Sequence, residues 1–90
     1  MSVQIDIPPF LRHLTDDAAT AKVNGSTVGD CLNHFVRQYP KTKRLLFNKN
    51  GELLRYVEVY VNGETTYPEE LTKRVKDGDE IAIVYLISGG

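Results

Sequence analysis

The sequence predicts an α+β fold in which an open, mixed sheet packs on one helix. Strand-like alternation of apolar and polar residues appears near both ends of the chain and in its middle, and one helical apolar stripe lies between. A single amphipathic helix needs a sheet to cover its apolar face. Because the chain has only 90 residues, these elements must form one domain.

The N-terminal part predicts two paired strands. Val3, Ile5 and Ile7 alternate with polar residues, which is typical of a half-buried strand, and a Pro-Pro pair ends it. Residues 10–14 have no clear period and predict a loop or single turn over an edge of the core. Residues 20–23 predict a second strand, so the two form a hairpin with a long connection.

The middle of the chain predicts one long helix. Thr27 is placed to cap its first turn, and Asp30 three residues later favours the positive end of the helix. Pro40 ends the run. The apolar stripe that we expect to face the core consists of Val28, Cys31, Leu32, Phe35, Val36 and Tyr39.

The C-terminal half predicts a short strand over residues 44–47, a turn over 48–51 and a clear strand over 56–61. Asn62-Gly63 is a two-residue hairpin signal, Leu71 and Val75 suggest a short helical turn, and residues 80–87 form the last strand. We expect the first and last strands to be parallel neighbours at the centre of the sheet. This outline is that of the ubiquitin-like β-grasp, with a domain over residues 1–87 and a flexible Gly-Gly tail over 88–90.

Composition excludes several classes of function. The formal charge is −1 and the pI near 6.1, which argues against nucleic-acid or membrane binding as the main role. A single cysteine forms no internal disulfide and indicates a reducing compartment, so we expect a cytoplasmic protein. We expect no signal peptide, because the first residues include an acid and no long apolar run, and no transmembrane helix.

Side chains with catalytic potential are few. His13 and His34 lack neighbours at metal-ligand spacing, so solvated or locally hydrogen-bonded histidines are favoured and no metal site is predicted. Cys31 lies on the apolar stripe and is interpreted as a core residue, although its place in the first helical turn leaves a reactive thiol as the alternative. A basic stretch favours a solvated face over an electrostatic docking surface; it comprises Lys41, Lys43, Arg44, Lys49 and Arg55.

The two terminal glycines carry the strongest functional signal. Gly89-Gly90 follows close after the last predicted strand. Because glycine has no Cβ, a Gly-Gly segment can pass through a narrow channel that a side chain would block. The free carboxyl group of Gly90 has an ordinary pKa of about 3.3–3.7, so it is ionised and unreactive at neutral pH. Activation must therefore come from another protein, for example by forming an acyl-adenylate that a nucleophile attacks.

Three segments together resemble the MoaD/ThiS family of ubiquitin-like sulfur carriers. They are YVEVYVNGE over residues 56–64, KDGDEIAI over 76–83, and Gly89-Gly90. The resemblance implies that the chain is no enzyme itself but the substrate of an E1-like adenylyltransferase, which uses ATP and Mg²⁺; the carrier binds no cofactor of its own. Gly90 would then carry the adenylate and the thiocarboxylate, with Gly89 as the slim neck before it.

The family serves several pathways, and the sequence leaves them open. The segment from 44 to 55 makes the chain longer than typical thiamine carriers, as in molybdopterin-synthase small subunits and carriers for cysteine biosynthesis. We favour sulfur delivery to a biosynthetic enzyme for cysteine or a related metabolite. The alternatives are a molybdopterin-synthase small subunit, a ubiquitin-like modifier joined to other proteins through Gly90, and an interaction module with an incidental glycine tail.

Strand alternation also predicts a docking face. It directs Val57, Val59, Val61, Ile81 and Ile83 toward the helix, and it leaves the other row of each strand outward. We expect Tyr60, Val84 and Leu86 to form an apolar partner-binding patch on that outward face, beside Tyr56, Glu58, Ala82, Gln4 and Asp6. A protein that docks transiently in this way is expected to be a monomer when free.

Overall fold

The computed structural model describes residues 2–86 as a five-stranded mixed sheet with one long helix on one face. The strand order is β2-β1-β5-β3-β4, and β1–β5 is the parallel pair among otherwise antiparallel neighbours. This is the predicted β-grasp, with the first and last strands adjacent. The strands are β1 (Ser2–Asp6), β2 (Thr20–Asn24), β3 (Val57–Val61), β4 (Glu64–Thr65) and β5 (Glu80–Tyr85).

Helix α1 (Val28–Gln38) begins as the sequence predicts. The backbone N–H of Asp30 donates to the Thr27 hydroxyl over 3.1 Å, and the Asp30 carboxylate accepts from the Ser26 hydroxyl. Gly25 passes so close to this first turn that an added Cβ would lie 2.7 Å from the Asp30 Cβ. Only glycine therefore fits where β2 turns into α1.

One core lies between α1 and the inner face of the sheet. Leu32 and Phe35 on the helix, and Ile5 and Ile81 on the two central strands, are all fully buried. Burying such side chains stabilises the fold by about 1.5–3 kcal/mol each. The core fixes β5 at the centre of the sheet, and so fixes where the chain leaves it.

The connections differ from the sequence prediction at two places. Residues 9–14, expected as a loop or turn, form a 3-10 helix (Pro9–Leu14) that buries Leu11. The predicted strand over 44–47 is wrong: a 3-10 helix (Pro40–Thr42) runs into helix α2 (Lys43–Leu46), and only Phe47 forms a bridge, to Leu53. The apolar run has only three residues, Leu45, Leu46 and Phe47, and so short a run fits a strand or a helix equally well.

The C-terminal turns are close to prediction. Asn62 and Gly63 both have positive φ, 51° and 83°, which is the two-residue hairpin that the Asn-Gly pair predicts between β3 and β4. The helical turn predicted to hold Leu71 and Val75 is a 3-10 helix (Glu70–Thr72) that contains Leu71, whereas Val75 lies beyond it. Strand β5 ends at Tyr85; Ile87, the predicted last strand residue, and the boundary at 87/88 lie outside the described residues.

Candidate functional site

The candidate site is the end of the sheet where β5 leads toward the terminal glycines. β1 pairs with β5 only as far as Ala82, whereas β3 pairs with it to Tyr85. The backbone N–H of Leu86 then donates to the Tyr56 carbonyl over 2.7 Å, so β3 holds the strand through its last described residue. Gly89 and Gly90, the predicted reactive end, lie outside the described residues.

Three aromatic side chains, which we call the aromatic rim, surround this end: Phe10, Tyr56 and Tyr85. The ring centroids of Phe10 and Tyr85 lie 4.1 Å apart, and Tyr56 meets Tyr85 edge-on at 5.5 Å. Phe10 and Tyr56 remain 41% and 49% exposed, and the adjacent Leu86 is 50% exposed. Large apolar side chains clustered on a surface are typical of a contact site for another protein.

Tyr85 anchors the rim to α2. Its hydroxyl donates to the backbone carbonyl of Leu45. Burial raises the pKa of Tyr85, and the neighbouring Tyr56 raises it further, so the phenol stays protonated and remains a donor at neutral pH. The end of β5, the 3-10 helix at 9–14 and α2 are thus joined at one point.

Tyr60 and Val84, two of the three residues predicted for partner binding, share the outward face of the sheet, whereas Leu86 follows the end of β5. Tyr60 pairs with Ala82, and Val84 pairs with Glu58, so Tyr60 and Val84 are diagonal neighbours on adjacent strands. Both are half-buried. Glu58 lies within this row, and its carboxylate accepts from the Thr65 hydroxyl over 2.6 Å. The structure brings Tyr60 and Val84 onto one face, and partner binding there stays a prediction.

The inward row is confirmed, and Tyr56 differs from the simple alternation. Val57, Val59 and Ile83 are buried against the core. Tyr56 was expected on the outward face, but it precedes β3 and its ring lies against Tyr85, which continues the inward row. Sequence reasoning missed the rim, because Phe10 and Tyr85 are far apart in the chain and no local pattern joins them.

Two other side chains that the sequence singled out, His34 and Cys31, have structural roles. The imidazole Nδ1 of His34 accepts the backbone N–H of Asn24 over 2.8 Å, which confirms a locally hydrogen-bonded histidine, and His13 is exposed. Cys31 is fully buried; burial raises the pKa of its thiol and Asp30 adds to the effect, so the first-turn location does not activate it. Residues 2–86 contain no cluster of three potential metal ligands among His, Cys, Asp and Glu.

The family follows from comparison of the whole chain with known proteins. The model of the ThiS family matches residues 5–90. The chain belongs to the ThiS family. This confirms the resemblance of the three sequence segments to the MoaD/ThiS family of ubiquitin-like sulfur carriers and modifiers, and the match extends to the last glycine.

The proteins similar to this ThiS-family chain include a small archaeal modifier protein and chains from two structures of CysO. Small archaeal modifier protein 1 of Haloferax volcanii is 37% identical over 65 residues, which cover 72% of this chain and 71% of the relative. A chain of the Amycolatopsis orientalis BexX/CysO complex superposes with a TM-score of 0.88 at 30% identity, covering 98% of this chain and 99% of the other. CysO of Mycobacterium tuberculosis gives 0.85 at 27% identity, covering 94% and 99%.

Within the described part of this ThiS-family chain, no helix is long and apolar enough to cross a membrane.

Proposed function

We propose that this chain is a sulfur carrier whose Gly90 carboxyl group is adenylated by an E1-like enzyme and converted to a thiocarboxylate. The observation that carries the proposal is the Gly89-Gly90 end, which follows the central strand of a ThiS-family domain and falls within the family match. The sulfur then passes to a biosynthetic enzyme, for cysteine or a related metabolite.

The chemistry requires a partner, because a carboxylate at neutral pH is not an acyl donor. A Gly90 carboxylate oxygen attacks the α-phosphorus of ATP and releases pyrophosphate, with Mg²⁺ held by the partner. Hydrosulfide then attacks the acyl carbon. AMP leaves with the electron pair of the broken C–O bond, one proton is lost, and the thiocarboxylate remains.

The carrier's own contribution is presentation. Gly90 is the fourth residue after Leu86, and an extended chain spans at most about 14 Å over that length. Any enzyme that acts on Gly90 must therefore approach the end of the sheet closely. The aromatic rim and the outward face with Tyr60, Val84 and Leu86 supply apolar contact area there. Gly89 supplies a neck without a side chain.

A second function, conjugation to other proteins, is favoured by one observation: a relative that is 37% identical is a small archaeal modifier protein. The first step is the same. A lysine amine, rather than sulfur, then attacks the acyl carbon and leaves an isopeptide bond to Gly90. The two functions differ only in the nucleophile that the partner brings.

The test is the intact mass of the chain after incubation with the activating enzyme of its own organism, ATP, Mg²⁺ and sulfide. We expect one oxygen to be replaced by sulfur, with fragment ions locating the change to Gly90 and no change when ATP is omitted. No change with all components present would contradict the sulfur-carrier proposal. Adducts joined to lysines in extracts, without thiocarboxylate, would favour the modifier.

A further inference from the structure

A groove with four cationic side chains lies at α2, and we call it the basic groove. It is a shallow, solvent-open depression of about 430 Å³, lined by Pro40, Lys41, Lys43, Arg44, Phe47, Asn48 and Lys49. No Asp or Glu lines it, and all four Lys and Arg residues are exposed. Phe47, which is buried, gives the groove an apolar wall beside its charges.

The segment that forms the groove differs in charge from the rest of the chain. Residues 31–51 contain five Lys or Arg and no Asp or Glu, which leaves six Lys or Arg against twelve Asp or Glu elsewhere. A chain whose formal charge is only −1 is therefore strongly polarised. Such a field orients an approaching partner of opposite charge and raises the rate of productive encounters.

Local packing holds the cations on one surface. The Thr42 hydroxyl donates to the Tyr39 carbonyl over 2.7 Å, and Thr42 is fully buried. The Phe47 N–H donates to the Lys43 carbonyl over 2.9 Å and closes α2. With Thr42, Leu46 and Phe47 facing the core, the intervening Lys and Arg side chains face solvent.

The structure divides the basic stretch of the sequence. Arg55 does not line the groove; it lines an adjacent depression, which shares Asn48 with the groove, beside Glu52, Glu69 and Glu70. Glu52, the nearest acid along the chain, faces that depression, and its carboxylate accepts from the Asn48 amide over 3.2 Å. Arg55 thus has carboxylates nearby. The four Lys and Arg side chains of the groove have no Asp or Glu among the residues that line it with them.

The groove is also attached to the end of β5. Arg44 and Leu45 are consecutive in α2, and the Leu45 carbonyl accepts the Tyr85 hydroxyl. Leu86 follows directly, four residues before Gly90. A protein that reaches Gly90 therefore meets the aromatic rim and the basic groove on neighbouring elements.

We propose that the basic groove docks an acidic segment of the ATP-dependent enzyme that activates Gly90. This inference rests on the proposed function and adds the partner's chemistry. A protein segment is favoured over a nucleic acid or a lipid surface, because the twelve acidic residues elsewhere repel an extended polyanion. The groove sets the encounter rate and orientation, while the chemistry belongs to Gly90 and the enzyme.

The test compares two charge-matched double variants in carrier-dependent pyrophosphate release. For Lys43→Glu/Arg44→Glu we expect kcat/KM to fall roughly tenfold or more at low salt, mainly through KM, with the difference shrinking at high salt. The control Lys22→Glu/Lys76→Glu, at exposed sites outside the groove, should stay within about twofold of the parent. Circular dichroism and thermal melts verify that both variants fold.

Each outcome is informative. If the parent releases pyrophosphate and the two variants react alike, the groove is not the docking site, although the proposed function stands. If the parent itself is not activated by its cognate enzyme, the proposed function fails and this inference fails with it. If the groove variant loses binding to phosphatidylserine vesicles but keeps the parent's kinetics, the groove's partner is a lipid surface and the proposal is overturned.

Discussion

At the scale of single residues, Asp79 connects the turn before β5 to the β3–β4 hairpin. Its carboxylate accepts from the Asn62 side-chain amide over 3.0 Å and from the Lys76 backbone N–H over 2.9 Å. The Asn62 hydrogen bond, followed by the Lys76 backbone hydrogen bond and nearby lysine charges, lowers the pKa of Asp79. Asn62 also accepts the Glu80 N–H over 2.9 Å, so it bridges the turn and the strand.

Asn62→Asp removes this donor and keeps a residue that tolerates the positive φ at this position. We expect the pKa of Asp79 to rise and stability near neutral pH to fall by about 1 kcal/mol. In the parent, the pKa of Asp79 is lower in the folded than in the unfolded protein. The ionised carboxylate therefore stabilises the fold above the ordinary Asp pKa, and this stabilisation is lost as the pH falls through the pKa of folded Asp79. Carboxyl NMR titration and urea unfolding across acid pH measure both effects, with exposed Asn33→Asp on α1 as the control. An unchanged Asp79 titration would refute the assignment.

Gly89→Ala tests the narrow neck. The added Cβ should leave folding unchanged and lower the rate of activation by about tenfold or more, because the enzyme's channel must admit the chain in an aligned geometry. Thermal melts and the kinetics of pyrophosphate release measure the two properties on the same sample. Parental kinetics in this variant would show that the enzyme does not need a slim neck.

At the scale of elements, an Asp introduced in the inward row of β3 and β5 should unfold the domain, whereas an Asp in the outward row should leave it folded. Val59 is 1% exposed and pairs with Ile83, so Val59→Asp buries an unpaired carboxylate and should destabilise the domain by more than about 3 kcal/mol. Val84 is in the outward row and Leu86 continues it. The variants Val84→Asp and Leu86→Asp should therefore fold normally but bind the activating enzyme less tightly. Circular dichroism melts and affinity measurements give the comparison. Outward variants that fold and bind like the parent would exclude this face from docking.

The sequence predicts the helices and strands correctly where the periodic run is long or where a cap or turn residue marks its end. Alternation in β1, β3 and β5, the Thr27 cap and the Asn62-Gly63 turn are local features that the structure reproduces. Prediction failed at α2, where four residues are too few to separate a strand from a helix. The aromatic rim was beyond sequence reasoning, because Phe10 and Tyr85 are 75 positions apart in the chain and meet only in the finished fold.

At the scale of the whole molecule, the described features converge on one end. The central strand leaves the sheet there, the rim surrounds it, and the basic groove adjoins it through α2. Residues 2–86 bury their lone thiol and contain no cluster of metal ligands. The convergence of the central strand, the rim and the groove on one end is what the proposed presentation of the terminus needs, and the chain belongs to the ThiS family of ubiquitin-like sulfur carriers and modifiers.

The central claim is that an enzyme activates the carboxyl group of Gly90, which both the carrier and the modifier functions require. The direct measurement is exchange of labelled pyrophosphate into ATP by the activating enzyme, since exchange requires reversible formation of the acyl-adenylate. We predict exchange with the full chain, and none with a chain that lacks Gly89 and Gly90 or is extended by one residue beyond Gly90. Equal exchange with the full, shortened and extended chains, or none with any of them, would contradict the account.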